Sequence, residues 1–226
     1  KINSCDVDAY NNLGVAFKND GHLDSAVNSF RTSIKIKPDF VSAYDNLGNT
    51  LSDREDFKGA IECFEAAIKI NPGYSELYNN FGLALSRYGD LTKSSISFEK
   101  ALSINPYYAE AHNNLGLNYK EQFKFKKAIK SFNRAISLKP NFAEAYNNLG
   151  TVFEEQIKYK EAIHAYSKAI SLKSKYTEAY YNIGNILRYV ILKRSDNVLQ
   201  KIITSILDQK NIVRPIDIAN CAISLL

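Results

Sequence analysis

Residues 41–74 read VSAYDNLGNTLSDREDFKGAIECFEAAIKINPGY. Two helical stripes lie in this stretch. Tyr44, Leu47, Gly48 and Leu51 fall at i, i+3, i+4 and i+7, and Ala60, Phe64, Ala67 and Ile68 follow the same spacing further on. Each is the apolar face of an amphipathic helix. Pro72 lacks a backbone N–H, so it stops the second helix and prepares the next. Small residues (Gly48, Ala60, Ala67) are set against large ones (Tyr44, Phe64), a pattern that lets two helices approach closely with the aromatic of one filling the space left by the other. The stretch predicts an antiparallel helix pair.

Outward from it, the pattern recurs. Gly14, Gly48, Gly82, Gly116, Gly150 and Gly184 stand 34 residues apart. Four residues before each glycine comes Tyr10, Tyr44, Tyr78, His112, Tyr146 or Tyr180; one before it, Leu13, Leu47, Phe81, Leu115, Leu149 or Ile183. Twelve residues after it comes Ala26, Ala60, Ser94, Ala128 or Ala162, and sixteen after it Phe30, Phe64, Phe98, Phe132 or Tyr166. Pro38, Pro72, Pro106 and Pro140 close four units, and Gly21 and Gly89 fall where a turn is needed between the halves. One helix pair cannot bury its stripe; a stack of them can. The expected fold is all-α, an α-solenoid of stacked antiparallel helix pairs.

The landmarks Tyr-x-x-Leu-Gly, then Ala, Phe, Ala and Pro, resemble the tetratricopeptide repeat (TPR) family, over residues 7 to about 189. The resemblance implies a TPR superhelix with repeats at 7–40, 41–74, 75–108, 109–142 and 143–176, and a degenerate sixth at 177–210. Residues 1–6 align with Lys69–Tyr74 and read as the tail of a preceding repeat, so the chain reads as a piece of a longer array. After Tyr189 the landmarks fade. Ser195 or Asp196 can cap a helix with Val198, Leu199, Ile202, Ile203, Ile206 and Leu207 on one face. Pro215 then opens a short helix with Ile218, Ala219, Ala222 and Ile223 on one side. Residues 211–226 are expected to be a capping helix or the start of a linker to a further domain.

Three departures carry expectations of their own. Ser94 and Ser95 replace an apolar pair and Ile96 occupies a normally polar slot, so the second helix of repeat three is expected to pack least well. Phe123 and Ile157 stand in the inter-helix turn where glycine is usual. They are expected to tuck against a neighbouring turn, a partner-contacting ridge being the other reading. His112, in a tyrosine slot, reads as a packing residue.

The balance of 45% hydrophobic and 23% charged residues is that of a folded globular chain. No apolar run reaches membrane-spanning length and no signal peptide is visible. Cys5, Cys63 and Cys221 form neither a disulfide framework nor a metal spacing, as expected of thiols in a reducing compartment; the expected location is cytoplasmic. Net charge is +5, but the basic cluster Lys120, Lys124, Lys126, Lys127, Lys130 and Arg134 reads as a solvated face of one repeat. A nucleic-acid binder would carry a basic stripe with interleaved aromatics, so neither nucleic acid nor membrane is an expected partner. His22, His112 and His164 sit at three different repeat positions. With no phosphate loop, paired metal ligands or nucleophile elbow, no catalytic residue, metal or cofactor is expected, and the chain by itself does not read as an enzyme.

The recurrent polar feature is an asparagine two residues before every glycine: Asn12, Asn46, Asn80, Asn114, Asn148 and Asn182. It follows the aromatic by two positions and so projects from a different face of the first helix. Asparagine is a mediocre helix former, and its amide presents a donor and an acceptor side by side, matching an extended peptide backbone. Helix axes lie about 8–10 Å apart and an extended chain advances about 3.3 Å per residue, so each asparagine would meet about every third ligand residue. The alternative is that duplication alone preserved a tolerated polar residue. Beside this ladder lie Asn11, Asn79, Asn113 and Asn147, with Asp45 in the remaining one of the five complete repeats; these four asparagines are expected to contact the peptide together with the ladder. By resemblance the face lines the concave groove, and the ladder is most similar to the TPR arm of O-linked N-acetylglucosamine transferase-type proteins, where groove asparagines hold a peptide backbone. The clamp that other TPR domains use for acidic C-termini is missing, because its lysine and arginine slots hold other residues. Instead Glu76, Glu110, Glu144 and Glu178 recur in first helical turns, where the helix dipole favours them and where they incline the groove toward neutral or basic ligands.

Three functions are compatible with these features. The first is a protein–protein interaction scaffold holding extended segments on the ladder. The second is an N-terminal substrate-recruitment arm of a larger enzyme, an O-linked glycosyltransferase or a SAM-dependent methyltransferase. The third is an array that self-associates through an end.

Overall fold

The computed structural model describes residues 6–187. The readings of residues 1–5, of the second half of repeat six and of 211–226 lie outside them. The described residues are helical with short turns, and they fall into two compact units that divide between Gln122 and Phe123. The first unit contains α1 (Val7–Asn19), α2 (Leu23–Ile36), α3 (Val41–Asp53), α4 (Phe57–Ile70), α5 (Ser75–Tyr88), α6 (Leu91–Ile104) and α7 (Ala109–Glu121). The second contains α8 (Phe125–Leu138), α9 (Ala143–Glu155), α10 (Tyr159–Leu172) and α11 (Thr177–Leu187). Within each unit consecutive helices pack as pairs, and in the first unit the odd-numbered helices also touch one another, α1 on α3, α3 on α5 and α5 on α7.

The glycines permit this closeness. A Cβ on Gly48 would lie 2.8 Å from the Phe64 ring, one on Gly14 2.5 Å from Phe30, and one on Gly82 2.7 Å from Phe98. In the second unit a Cβ on Gly150 would lie 2.5 Å from Tyr166. These aromatics are fully buried. Tyr166 keeps its hydroxyl satisfied by donating to Glu154 Oε2 at 2.6 Å. Phe30, Phe64, Leu47, Leu51 and Ala84 share one core cluster, while Tyr166, Ile163, Tyr180 and Ile183 share that of the second unit.

The turns between paired helices need one residue with positive φ. Gly21 and Gly89 supply it at 79° and 98°, as their sequence positions lead one to expect. Glu55, Phe123 and Ile157 adopt it at 62°, 56° and 61°, a region costly for side chains and most so for a β-branched one. The expectation that Phe123 and Ile157 tuck against a neighbouring turn is not met: they are 76% and 73% exposed. Phe123 meets Phe125 edge to face, with ring centroids 6.1 Å apart.

The expectation for α6 also needs correction. Ser94 and Ser95 are buried, and a polar cluster replaces the apolar contact. Ser94 Oγ donates to the Gly82 carbonyl at 2.8 Å and accepts from Asn118 Nδ2 at 2.8 Å. Ser95 Oγ donates to Asn118 Oδ1 at 2.6 Å, and Gln122 Nε2 donates to Ser95 Oγ at 2.8 Å. Asn118 stands where other repeats place Ala16, Thr50, Ala84, Val152 and Ile186. The departures in α6 and α7 answer one another, and Ile96 is left 60% exposed.

Candidate functional site

The asparagines at −2 and −3 from the glycine are neighbours in sequence but not in environment. A helix advances 100° per residue, so they point in different directions. The −3 row is buried: Asn11 at 9%, Asn79 at 5%, Asn113 at 7% and Asn147 at 0% exposure. The −2 row lies at the surface, with Asn12 exposed and Asn46, Asn80, Asn114, Asn148 and Asn182 half-buried.

A hydrogen bond joins the two rows from one repeat to the next. Asn46 Nδ2 donates to Asn11 Oδ1 at 3.0 Å, Asn80 Nδ2 to Asp45 Oδ1 at 2.9 Å, and Asn114 Nδ2 to Asn79 Oδ1 at 2.9 Å. In the second unit Asn182 Nδ2 donates to Asn147 Oδ1 at 3.3 Å, and Asn147 Nδ2 donates to Glu178 Oε1 at 2.9 Å. This corrects the grouping of the two rows as one set of peptide contacts. The inner asparagines Asn11, Asn79, Asn113 and Asn147 lie beneath the surface; those of Asn11, Asn79 and Asn147 accept from the following repeat and orient its outer asparagine. An amide has two N–H donors and one carbonyl, and the inter-repeat bond occupies one donor of each outer asparagine named.

Asp45 departs from the inner asparagine row. Burial raises its carboxyl above the ordinary value, against the hydrogen bonds from Asn80 and Asn49 that lower it. Glu76, Glu110, Glu144 and Glu178 occupy first turns, as the dipole argument requires. At the other end of the first helices of unit one, a cleft of about 460 Å³ is lined by Lys18, Asn49, Asp53, Asn80, Leu83 and Arg87 among others. Lys18 is engaged there with Asp53 at 2.9 Å. Sequence reasoning missed this cleft, since apart from Asn80 it is formed by residues of different repeats that share no motif.

A second missed feature does repeat. Lys37 lies 5.7 Å from the Phe40 ring centroid, Lys139 4.6 Å from that of Phe142, and Lys173 4.8 Å from that of Tyr176. The i, i+3 lysine–aromatic spacing at a 34-residue period was the signal available for it.

The remaining candidates are unremarkable chemically. His112 is half-buried, its Nε2 3.2 Å from the Pro106 carbonyl oxygen, in keeping with a packing role. Lys126, Lys130 and Arg134 are exposed on α8, as a solvated face requires. Burial pushes the Cys63 thiol up to about 11, so it is protonated and poorly nucleophilic at neutral pH. Among the described residues no group of His, Cys, Asp or Glu could hold a metal ion, and no helix is long and apolar enough to cross a membrane.

Stacked helix pairs with a polar first-helix face define an all-α repeat protein. The tetratricopeptide repeat family matches this chain at residues 7–40, 41–74 and 63–94, and its related TPR repeat description matches 118–156 and 158–187. The chain belongs to the tetratricopeptide repeat family. A solved structure of the MamA protein is 27% identical, with a TM-score of 0.65, and the match covers 75% of this chain and 92% of that one. YrrB, described as a TPR protein with an unusual peptide-binding site, is 20% identical with a TM-score of 0.62, over 78% of this chain and 91% of that one. PilF of Pseudomonas aeruginosa is 15% identical with a TM-score of 0.72, over 96% of each chain. The last two likenesses concern the fold. No curated protein sequence matches the chain.

Proposed function

We propose that this chain is a protein-interaction scaffold that holds an extended polypeptide on its first-helix face, with the outer asparagines Asn12, Asn46, Asn80, Asn114, Asn148 and Asn182 as backbone contacts. The observation that carries this reading is the bond from the outer asparagines Asn46, Asn80 and Asn114 to the inner residue of the repeat before each, at 2.9–3.0 Å. A side chain fixed in this way loses little rotamer freedom when a ligand arrives, which is the condition for a preorganised site. Surface asparagines without such support would each surrender entropy comparable to the ~1 kcal/mol net gain of a neutral hydrogen bond. One amide per repeat, about 10 Å apart, suits a backbone of any sequence and leaves side-chain selection to other residues. YrrB, a protein of the same fold, is described as binding peptide, which agrees with this use of the architecture.

The experiment is the combined change of Asn80 and Asn114 to alanine, read by peptide binding. Loss of binding with unchanged helical circular dichroism is the expected result. Unchanged affinity would mean that the inter-repeat bonds are the whole reason for the asparagine row.

A further inference from the structure

An aromatic residue stands eight positions before the glycine at five first helices: Phe40, Tyr74, Tyr108, Phe142 and Tyr176. Three residues earlier come Lys37, Asn71, Asn105, Lys139 and Lys173. Where lysine is present, its ammonium sits near its own aromatic ring, at 5.7, 4.6 and 4.8 Å from the centroid. Lys173 also bridges to Glu144 at 3.2 Å, so cation, ring and carboxylate form one arrangement. Its counterpart two repeats earlier comprises Tyr108 and Glu76, with Asn105 where the lysine would be.

At Tyr108 and Glu76 the first unit therefore has the ring and the carboxylate without an internal cation. Asn105 turns back instead: its Oδ1 accepts from the Tyr107 backbone N–H at 3.1 Å, and Asn71 does the same for Gly73 at 3.2 Å. Glu76 accepts from the Ser75 hydroxyl at 2.8 Å and has no ion-pair partner among the described residues. Burial first, then the charges of Glu76 and Glu110, raise the Tyr108 hydroxyl above its ordinary value. Tyr74, itself 41% exposed, precedes Glu76 by two residues. Asp45 in turn holds the outer asparagine Asn80 at 2.9 Å, so the arrangement is continuous with the asparagine row.

We propose that Tyr108 and Glu76, flanked by Tyr74 and Asp45, receive a cationic side chain of the bound polypeptide, lysine by the internal example, in the arrangement that Lys173 makes with Tyr176 and Glu144. This rests on the reading of the first-helix face as a polypeptide site and adds to it a preference: an extended segment with a lysine or arginine at one position. The ring face attracts the cation through its quadrupole and the carboxylate through charge.

Two acetylated and amidated nonapeptides of alanine and serine, one with a central lysine and one with norleucine there, test this by NMR titration against the full chain. The lysine peptide is expected to bind about fivefold to tenfold more tightly, the sum of an exposed cation–π contact and an exposed ion pair. Asn105→Lys supplies the cation from within and should bring the two peptides to equal affinity, and Glu76→Gln should bring them close to it. Asn80→Ala with Asn114→Ala should weaken both peptides alike. Equal affinity of the two peptides for the native chain overturns the cationic preference and leaves the asparagine reading standing. Lysine selectivity that survives Asn105→Lys overturns it as well. A lysine peptide indifferent to the asparagine changes but sensitive to Asn105→Lys overturns the asparagine reading alone, and failure of both peptides to bind overturns both.

Discussion

Ser94 Oγ accepts a hydrogen bond from Asn118 Nδ2 at 2.8 Å, in an interior that other repeats fill with alanine and mostly aliphatic side chains. The two residues come from adjacent repeats, and each would be a defect without the other. Asn118→Val should destabilise the fold by about 1–3 kcal/mol, because Ser94 and Ser95 lose a partner where water cannot replace it. The combined change Ser94→Ala, Ser95→Ile and Asn118→Val restores the pattern of the other repeats and should recover most or all of that loss. Urea unfolding of Asn118→Val, of Ser94→Ala with Ser95→Ile, and of all three changes together measures the coupling. Additive costs would show that the cluster is not a unit.

Gly48 and Phe64 form the clearest steric pair. A Cβ on Gly48 would stand 2.8 Å from the ring, and Phe64 is fully buried. Gly48→Ala should cost about 1–3 kcal/mol despite the better helix propensity of alanine. Adding Phe64→Leu should recover part of the Gly48→Ala loss. Thermal unfolding monitored at 222 nm checks both.

Ile157 holds a left-handed backbone conformation, φ 61°, with its side chain 73% exposed. Ile157→Gly should therefore stabilise the chain by about 0.5–1 kcal/mol, since the relief of left-handed strain exceeds the added freedom of the unfolded chain. A lowered melting temperature would mean that the side chain packs in solution.

Asp45 offers a change with a defined pH signature. Its carboxyl is held above the ordinary value of 3.8, chiefly by burial, with Glu76 raising it and Asn80, Asn49 and Lys18 lowering it. A raised carboxyl favours the protonated form in the folded state. Its stabilising contribution is complete below 3.8 and is lost as pH rises through the folded value. Asp45→Asn matches the other inner positions and removes the ionisation. The melting temperature of Asp45→Asn should exceed that of the native chain at pH 7, and the difference should shrink toward pH 3.5. A difference independent of pH would remove ionisation as its cause.

The helix pairs, their boundaries and the glycine–aromatic contacts were legible because each follows from local periodicity or from a side chain too large or too small for its slot. Pro38 to Pro140 and Gly21 and Gly89 act on their own backbone, so their effect shows in one dimension. Phe123 and Ile157 misled because an apolar residue suggests burial, while the orientation of its Cβ depends on the sign of φ. The two asparagine rows were visible as a pattern, but not their division into a buried and a surface row.

The sequence by itself determined the repeat, its all-helical character and the recurrence of Asn12 through Asn182, since a 34-residue period and a helical stripe are properties of order along the chain. Only the tertiary structure decided what those residues touch. The bonds from Asn46 to Asn11, from Asn118 to Ser94 and from Lys173 to Glu144 join residues 35, 24 and 29 positions apart. Such partners are chosen by the stagger of one helix against another, which composition and periodicity leave open and packing closes.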